Sequence, residues 1–322
     1  MSEAGSVASR APARIVAVDF ARGAALIAMA AYHLSWDLAY FGLAPPTFPV
    51  TPAMRLFSHA IAATFLALVG VSLVLAHQGA FHRKPFQRRL AIICGAAALV
   101  TLASHFLSPG NAIYFGILHC IAISSLLAAP LVEAPLAVVV AVIAVVFAAP
   151  FALANAAFNP APVVWLGLGT ILPDTFDWRP LAPWSGYVFL GLALTRVLRP
   201  RMNGSKAAEW RPKSFAAWAV AWAGRHSLAV YLIHQPVLFA ILFAATSLGL
   251  GATLRTEERF RSVCFSACER GGGSSDNCQR GCQCVIDGLI DKNLTIAFTR
   301  EDLDPAQQAE FSAVIHACVG KR

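Results

Sequence analysis

The sequence predicts an all-α polytopic membrane protein, with about seven transmembrane helices and a small cysteine-rich soluble domain at its C-terminus. Three observations predict it. Of 322 residues, 57% are hydrophobic and only 13% charged, where a soluble domain carries about 25% charged residues. The mean hydropathy is +0.62. The apolar mass is confined to the first 254 residues, and beyond Leu254 the chain turns polar and Gly-rich and holds six of the eight cysteines. The expected division is a disordered N-terminus over 1–13, a transmembrane body over 14–254 and an extracytoplasmic tail over 255–322.

Net charge divides the same way. The body holds sixteen Lys/Arg against seven Asp/Glu, a balance of +9, and the tail nine against ten, a balance of −1. The basic balance therefore reflects loop charges on one side of a bilayer and implies no nucleic-acid partner. The N-terminus lacks a small-residue cleavage site after a short apolar core, so the first helix is expected to act as an uncleaved anchor.

Helix 1 is expected over Val16–Leu43, ended by Pro45, Pro46 and Pro49. Helix 2 follows over Pro52–His77, then a basic loop with Arg83, Lys84, Arg88 and Arg89. His77 and His82 flank that loop and call for no special role. Helix 3 is expected over Leu90–Leu107, helix 4 over Ile113–Val132, and helix 5 over Leu136–Leu153 after the link at Glu133 and Pro135. A long Pro- and Gly-rich loop, Ala154–Pro183, carries Asp174, Asp177 and Trp178. Helix 6 covers Trp184–Val197. Phe215–Gly224, with Trp218 and Trp222, is too short to span and suits a helix lying in the interface. Helix 7, Arg225–Gly249, closes the body.

The N-terminus and the loops at 79–89 and 196–213 carry most of the body's Lys/Arg, whereas the opposite loops together carry only Arg179. The basic side is read as cytoplasmic. Seven spans then place the tail outside, across a bacterial inner membrane in the periplasm. The tail cysteines agree. Cys264-x3-Cys268 and Cys278-x3-Cys282 flank a Gly/Ser turn, with Cys284 and Cys318 beyond. Cysteines at i and i+4 share a helix face, so the two segments can be stapled as a helical hairpin. Three disulfides in an oxidising compartment are preferred over a metal site, whose ligands more often come as CxxC or CxxxxC pairs. No metal is predicted. Cys94 and Cys120 fall inside helices as small hydrophobes.

Helix 1 carries the chemistry. Asp19, Gly23, Leu26, Ala30, His33 and Asp37 share one helical face. Asp19 and Asp37 lie five turns and about 27 Å apart, nearly the hydrocarbon thickness. Ionisable groups at membrane depth are costly, which makes this face a functional-site hypothesis. The polar residues sort into two layers. Towards the outer face lie His33, Asp37, His59, His105 and His119, with Asp174 and Asp177 from the loop. Towards the inner face lie Asp19, Arg22, Arg225 and His226, with His234 nearer the middle. A His one turn from a carboxylate suits general-base work, because its ordinary pKa of about 6.5 matches neutral pH. His33 and Asp37 have that spacing. His105, near a helix end, is better explained as a structural hydrogen-bonding residue.

Four segments, RIVAVDFARGAALIAMAAYHLSWDLAYFG, YFGILHCIAISSLL, DWRPLAPWSGYVFLGLAL and GRHSLAVYLIHQPVL, resemble the heparan-alpha-glucosaminide N-acetyltransferase catalytic-domain family, especially its short bacterial members. The resemblance covers about residues 14–250 and leaves the tail outside. It implies a multi-spanning acyltransferase that takes acetyl-CoA from the cytoplasmic side and delivers the acetyl group across the membrane. The acceptor expected is an amine or hydroxyl of an extracytoplasmic glycan or lipid-linked sugar. His33, Asp37, His119 and His59 are then the catalytic candidates. Asp19, Arg22, Arg225, His226 and His234 are the candidates on the donor side, with Arg88 or Arg89 as further phosphate contacts. Arg225 and His226 are expected at a helix N-terminus, whose dipole attracts phosphate. The lipid bilayer is the remaining partner, and an oligomer is compatible with the sequence. The alternative is a transporter or flippase using the same buried Asp/His line as a polar pathway.

Overall fold

The computed structural model describes residues 15–77, 81–202, 209–250, 252–292 and 304–319, and among them it is helical with no strand. The helices are α1 Val16–Tyr40, α2 Pro52–Ala76, α3 Arg83–Leu107, α4 Ile117–Ala128, α5 Leu136–Ala152, α6 Ala161–Val164, α7 Leu181–Met202, α8 Phe215–Arg225, α9 Ser227–Ser247, α10 Ala252–Arg270, α11 Ser275–Asp291 and α12 Pro305–Val319. Among the described residues four of these, α2, α3, α7 and α9, are long and apolar enough to cross a membrane, and α4 and α5 are shorter apolar helices. Large apolar side chains stand far out of the protein, among them Phe106 at 80% exposure and Phe151 at 90%. Exposure of that kind suits a lipid environment and not water.

Several boundaries differ from expectation, each for a local reason. α3 starts at Arg83 and not Leu90, so the basic segment forms its first two turns. Arg and Lys are good helix formers, and Pro85 falls in the first turn, where a missing N–H costs no intrahelical hydrogen bond. α4 is only twelve residues long and not the full Ile113–Val132 stretch. Gly116 is extended ahead of it, and Pro130 turns the far end into a 3-10 turn over Pro130–Val132. α7 is longer than expected at both ends, Leu181–Met202, with a non-helical residue at Ala182. The expected seventh helix begins at Ser227, so Arg225 ends α8 and His226 sits at the junction. Its backbone N–H still closes α8 on the Trp222 and Ala223 carbonyls.

The chain forms two compact units, one up to Met29 with Phe57–Leu232, the other Ala30–Leu56 with Ile233 onward. The first unit is built on α2, α4, α5 and α7. Leu66 and Leu73 of α2, Cys120 of α4, Val139 of α5 and Val188 and Leu192 of α7 form its core. Helices in a bilayer gain nothing from hiding apolar surface, so close approach over small residues holds them together. α2 and α7 cross at Gly70 and Gly191, α1 and α8 at Gly23 and Gly224. A Cβ added at Gly224 would come 1.7 Å from the Asp19 carbonyl oxygen.

In the second unit the C-terminal tail forms α10, α11 and α12. Cys264–Cys282 and Cys268–Cys278 staple α10 to α11 in the expected hairpin, and Cys284–Cys318 ties α11 to α12. Val285 and Leu289 of α11 make a small core with Phe260, Phe311, Val314 and Ile315. So small a core needs covalent help, which the three bridges provide.

Candidate functional site

Among the described residues of its unit Asp37 is the most deeply buried acid, only 4% exposed. From α9, the Nε2–H of Gln235 donates to its Oδ1 at 2.6 Å. Its Oδ2 and the Oε1 of Gln235 are buried and accept no hydrogen bond. One turn earlier on α1 and one residue earlier on α9, the rings of His33 and His234 meet with centroids 5.0 Å apart. Two rungs thus join α1 to α9, an imidazole pair and a carboxylate–amide pair. Two acceptor oxygens left bare in a dry site cost free energy unless a donor is supplied. The cluster is arranged to meet an N–H or O–H.

The first unit holds a cavity of about 680 Å³. Arg22 of α1, Lys84, Arg88 and Arg89 of α3, and Ser227 and Tyr231 of α9 line it, and the rest of its wall is apolar. Among the described residues no Asp or Glu lines it. Asp19 does not reach it but holds Arg22, Nη1 to Oδ1 at 3.0 Å, while Arg22 Nη2 bonds Ser72. A wall that combines four cations with apolar surface fits a long ligand bearing several phosphates at one end and a neutral chain at the other.

His119 has both ring nitrogens engaged. The Gly116 N–H donates to Nδ1 at 3.3 Å. Nε2 lies 3.2 Å from the Thr101 hydroxyl, which itself donates to the Ile113 carbonyl at 2.7 Å. The chain of donors assigns a neutral ring with its proton on Nε2. Beside it, Asp177 Oδ2 accepts the Ile117 N–H at 2.7 Å and so caps α4 from the long loop. That loop is held in turn by Arg179, which donates to Ser58 Oγ at 2.8 Å and lies over the Trp184 ring at 4.8 Å. His59 stands exposed with its ring 5.3 Å from the same Trp184. Asp174 is exposed.

Of the residues singled out from the sequence, the structure joins His33 with His234, Asp37 with the neighbour of His234, and Asp19 with Arg22. It gathers Arg22, Arg88 and Arg89 around one cavity. Arg225 and His226 are exposed and do not line that cavity; His226 Nδ1 donates to the Trp222 carbonyl at 3.0 Å. Sequence reasoning missed Gln235, although an amide in an apolar run is itself a signal. It also passed over Lys84, because loop cations are expected on the cytoplasmic side for topology alone. Among the described residues no group of three or more His, Cys, Asp or Glu is arranged as a metal site.

A sequence model of the family described as heparan-alpha-glucosaminide N-acetyltransferase, catalytic, matches residues 14–236. No curated protein and no solved structure matches the chain.

Proposed function

The chain belongs to the heparan-alpha-glucosaminide N-acetyltransferase catalytic-domain family, and on that premise we propose that it moves an acetyl group from cytoplasmic acetyl-CoA to an extracytoplasmic glycan or lipid-linked sugar. The observation that carries the donor half is the cavity whose wall, among the described residues, holds four cations and no acid. Arg22, Lys84, Arg88 and Arg89 hold the phosphates of the donor, and the apolar remainder of the wall takes its uncharged arm. Arg22 is kept in place by Asp19 and Ser72.

The acceptor half rests on His33 and the Asp37–Gln235 pair. A neighbouring N–H or O–H of the acceptor donates to the bare oxygens of that pair, which orients the attacking amine or hydroxyl. As the acceptor atom attacks the thioester carbonyl, its proton passes to His33, the new bond to carbon forms and the carbon–sulfur bond breaks. The CoA sulfur leaves as thiolate and takes up the proton as the free thiol, which returns His33 to its neutral state. His33 stands one turn from the Asp37 carboxylate, whose charge favours the imidazolium formed. His119 and Asp177 serve a different purpose here: they hold the start of α4 and the long loop.

For topology we read seven crossings, by α1, α2, α3, α5, α7, α9 and by α4 together with its flanking residues. The basic loops then lie in the cytoplasm and the disulfide-bonded tail in the periplasm.

The test uses the detergent-purified full chain. Acetyl-CoA binds saturably and is slowly hydrolysed. His33→Ala lowers turnover by 10²-fold or more, the range for loss of a general base, and leaves donor affinity intact. Arg88→Gln weakens donor binding and leaves the thermal melt unchanged. Retained turnover in folded His33→Ala removes His33 from the mechanism. No donor binding by folded protein moves the reading to transport along the Asp/His line.

A further inference from the structure

A second, smaller cavity of about 300 Å³ adjoins the first, sharing Val69, Pro85, Arg89 and Ile93 with it. Its wall is apolar except for His77, His82, Arg89 and Ser125. His77 follows the last turn of α2 and is 8% exposed. Its Nδ1 is 2.7 Å from the Leu73 carbonyl, which can only accept, so the ring proton sits on Nδ1. Nε2 is buried and makes no hydrogen bond. His77 lines the cavity, and in the neutral ring a bare Nε2 lone pair is a costly arrangement unless a donor meets it. Phe81 stacks on the His77 ring with centroids 4.2 Å apart, and Phe86 packs at its edge at 6.1 Å. Of these two rings Phe86 lines the cavity, and an apolar slot with an aromatic side and one buried acceptor is shaped for a planar heterocycle that carries an N–H.

We propose that this chamber receives the purine base of a nucleotide donor, with His77 Nε2 accepting from its exocyclic amine. The inference rests on reading the first cavity as the acyl-CoA site. The arrangement follows the chemistry of that ligand: phosphates adjoin the base, and Arg89 stands in both walls. Adenine is selected over hypoxanthine, which presents a carbonyl oxygen where adenine has its amine and would face lone pair to lone pair. His77 acts here as a specificity-determining residue remote from the acyl group.

The test measures affinities of the full chain in detergent for acetyl-CoA, for its deaminated hypoxanthine analogue and for acetyl-4′-phosphopantetheine, which lacks the nucleoside. Wild type binds acetyl-CoA about five- to tenfold more tightly than the hypoxanthine analogue, the worth of one neutral hydrogen bond. His77→Phe keeps the aromatic stack, erases that preference and leaves the affinity for acetyl-4′-phosphopantetheine unchanged. The analogue comparison needs no variant, so it stands even where His77→Phe folds poorly. Equal affinity of wild type for the two purines overturns the chamber and spares the donor site. A His77→Phe loss shared equally by all three ligands marks a structural residue and also overturns it. No binding of acetyl-CoA by wild type overturns the donor site and the chamber together.

Discussion

At the scale of single residues, the unit containing α9 is governed by one amide. Gln235 donates to Asp37 and leaves one buried oxygen on each partner without a donor. A site built for stability alone would satisfy both, because each bare oxygen costs about 1–3 kcal/mol. The unit containing α4 behaves in the opposite way. His119 and Asp177 have their polar atoms spent on Gly116, Thr101 and Ile117. Asp177→Ala is expected to lower stability by about 1 kcal/mol, as loss of a helix cap does. Asp177→Asn, which keeps an acceptor oxygen, is expected to retain most of it. Thermal melts of the two purified variants check this, and an unchanged melt for Asp177→Ala removes the cap from the account. The spacing of His33 and Asp37 was legible in the sequence because a helix repeats its face every three or four residues. That His119 meets Thr101 and Gly116 was not, since those contacts depend on how α3 meets α4.

At the scale of elements, close approach decides which helices touch. α1 meets α8 where Gly23 and Gly224 leave no side chain between two backbones, and the Asp19 carbonyl oxygen occupies the place of a Gly224 Cβ. No rotamer change can relieve a backbone collision. Gly224→Val is therefore expected to cost about 3 kcal/mol, at the upper end of ordinary overpacking. The same change at Gly95 meets nothing within 4 Å, and it is expected to be neutral or slightly stabilising, since Val forms helix better than Gly. Detergent melts of the pair provide the comparison, and equal melts contradict the packing argument. α8 itself was expected from its length and its Trp218 and Trp222. The true start of α9 was not, because Arg225 and His226 are as compatible with opening one helix as with closing another.

At the scale of the whole molecule, the tail carries information on topology. Its three disulfides, Cys264–Cys282, Cys268–Cys278 and Cys284–Cys318, are the kind kept in oxidising compartments. On the seven-crossing reading, a membrane-impermeant reductant and maleimide added to cells with a permeabilised outer membrane label tail thiols while the inner membrane is intact. Labelling that needs inner-membrane rupture places the tail inside and changes the number of crossings. Loss of Cys284–Cys318 through Cys284→Ser is expected to destabilise the tail by about 2–4 kcal/mol, because the α11–α12 core is small. Protease resistance of the tail, with and without the bridge, measures that difference.

Composition and periodicity determined that this chain is helical, that its first 254 residues are apolar and its last part a cysteine-stapled hairpin. These are properties of neighbours along the chain, set by hydrophobicity and by the helical repeat. The four family-like segments were legible for the same reason. Tertiary structure alone decided that Gln235 answers Asp37, that His234 meets His33, and that Arg22, separated by some sixty residues from Arg88 and Arg89, lines one cavity with them. Such pairings depend on crossing points fixed by glycines and on helix ends fixed by caps. A residue's own sequence neighbours do not encode which distant atom will stand opposite it.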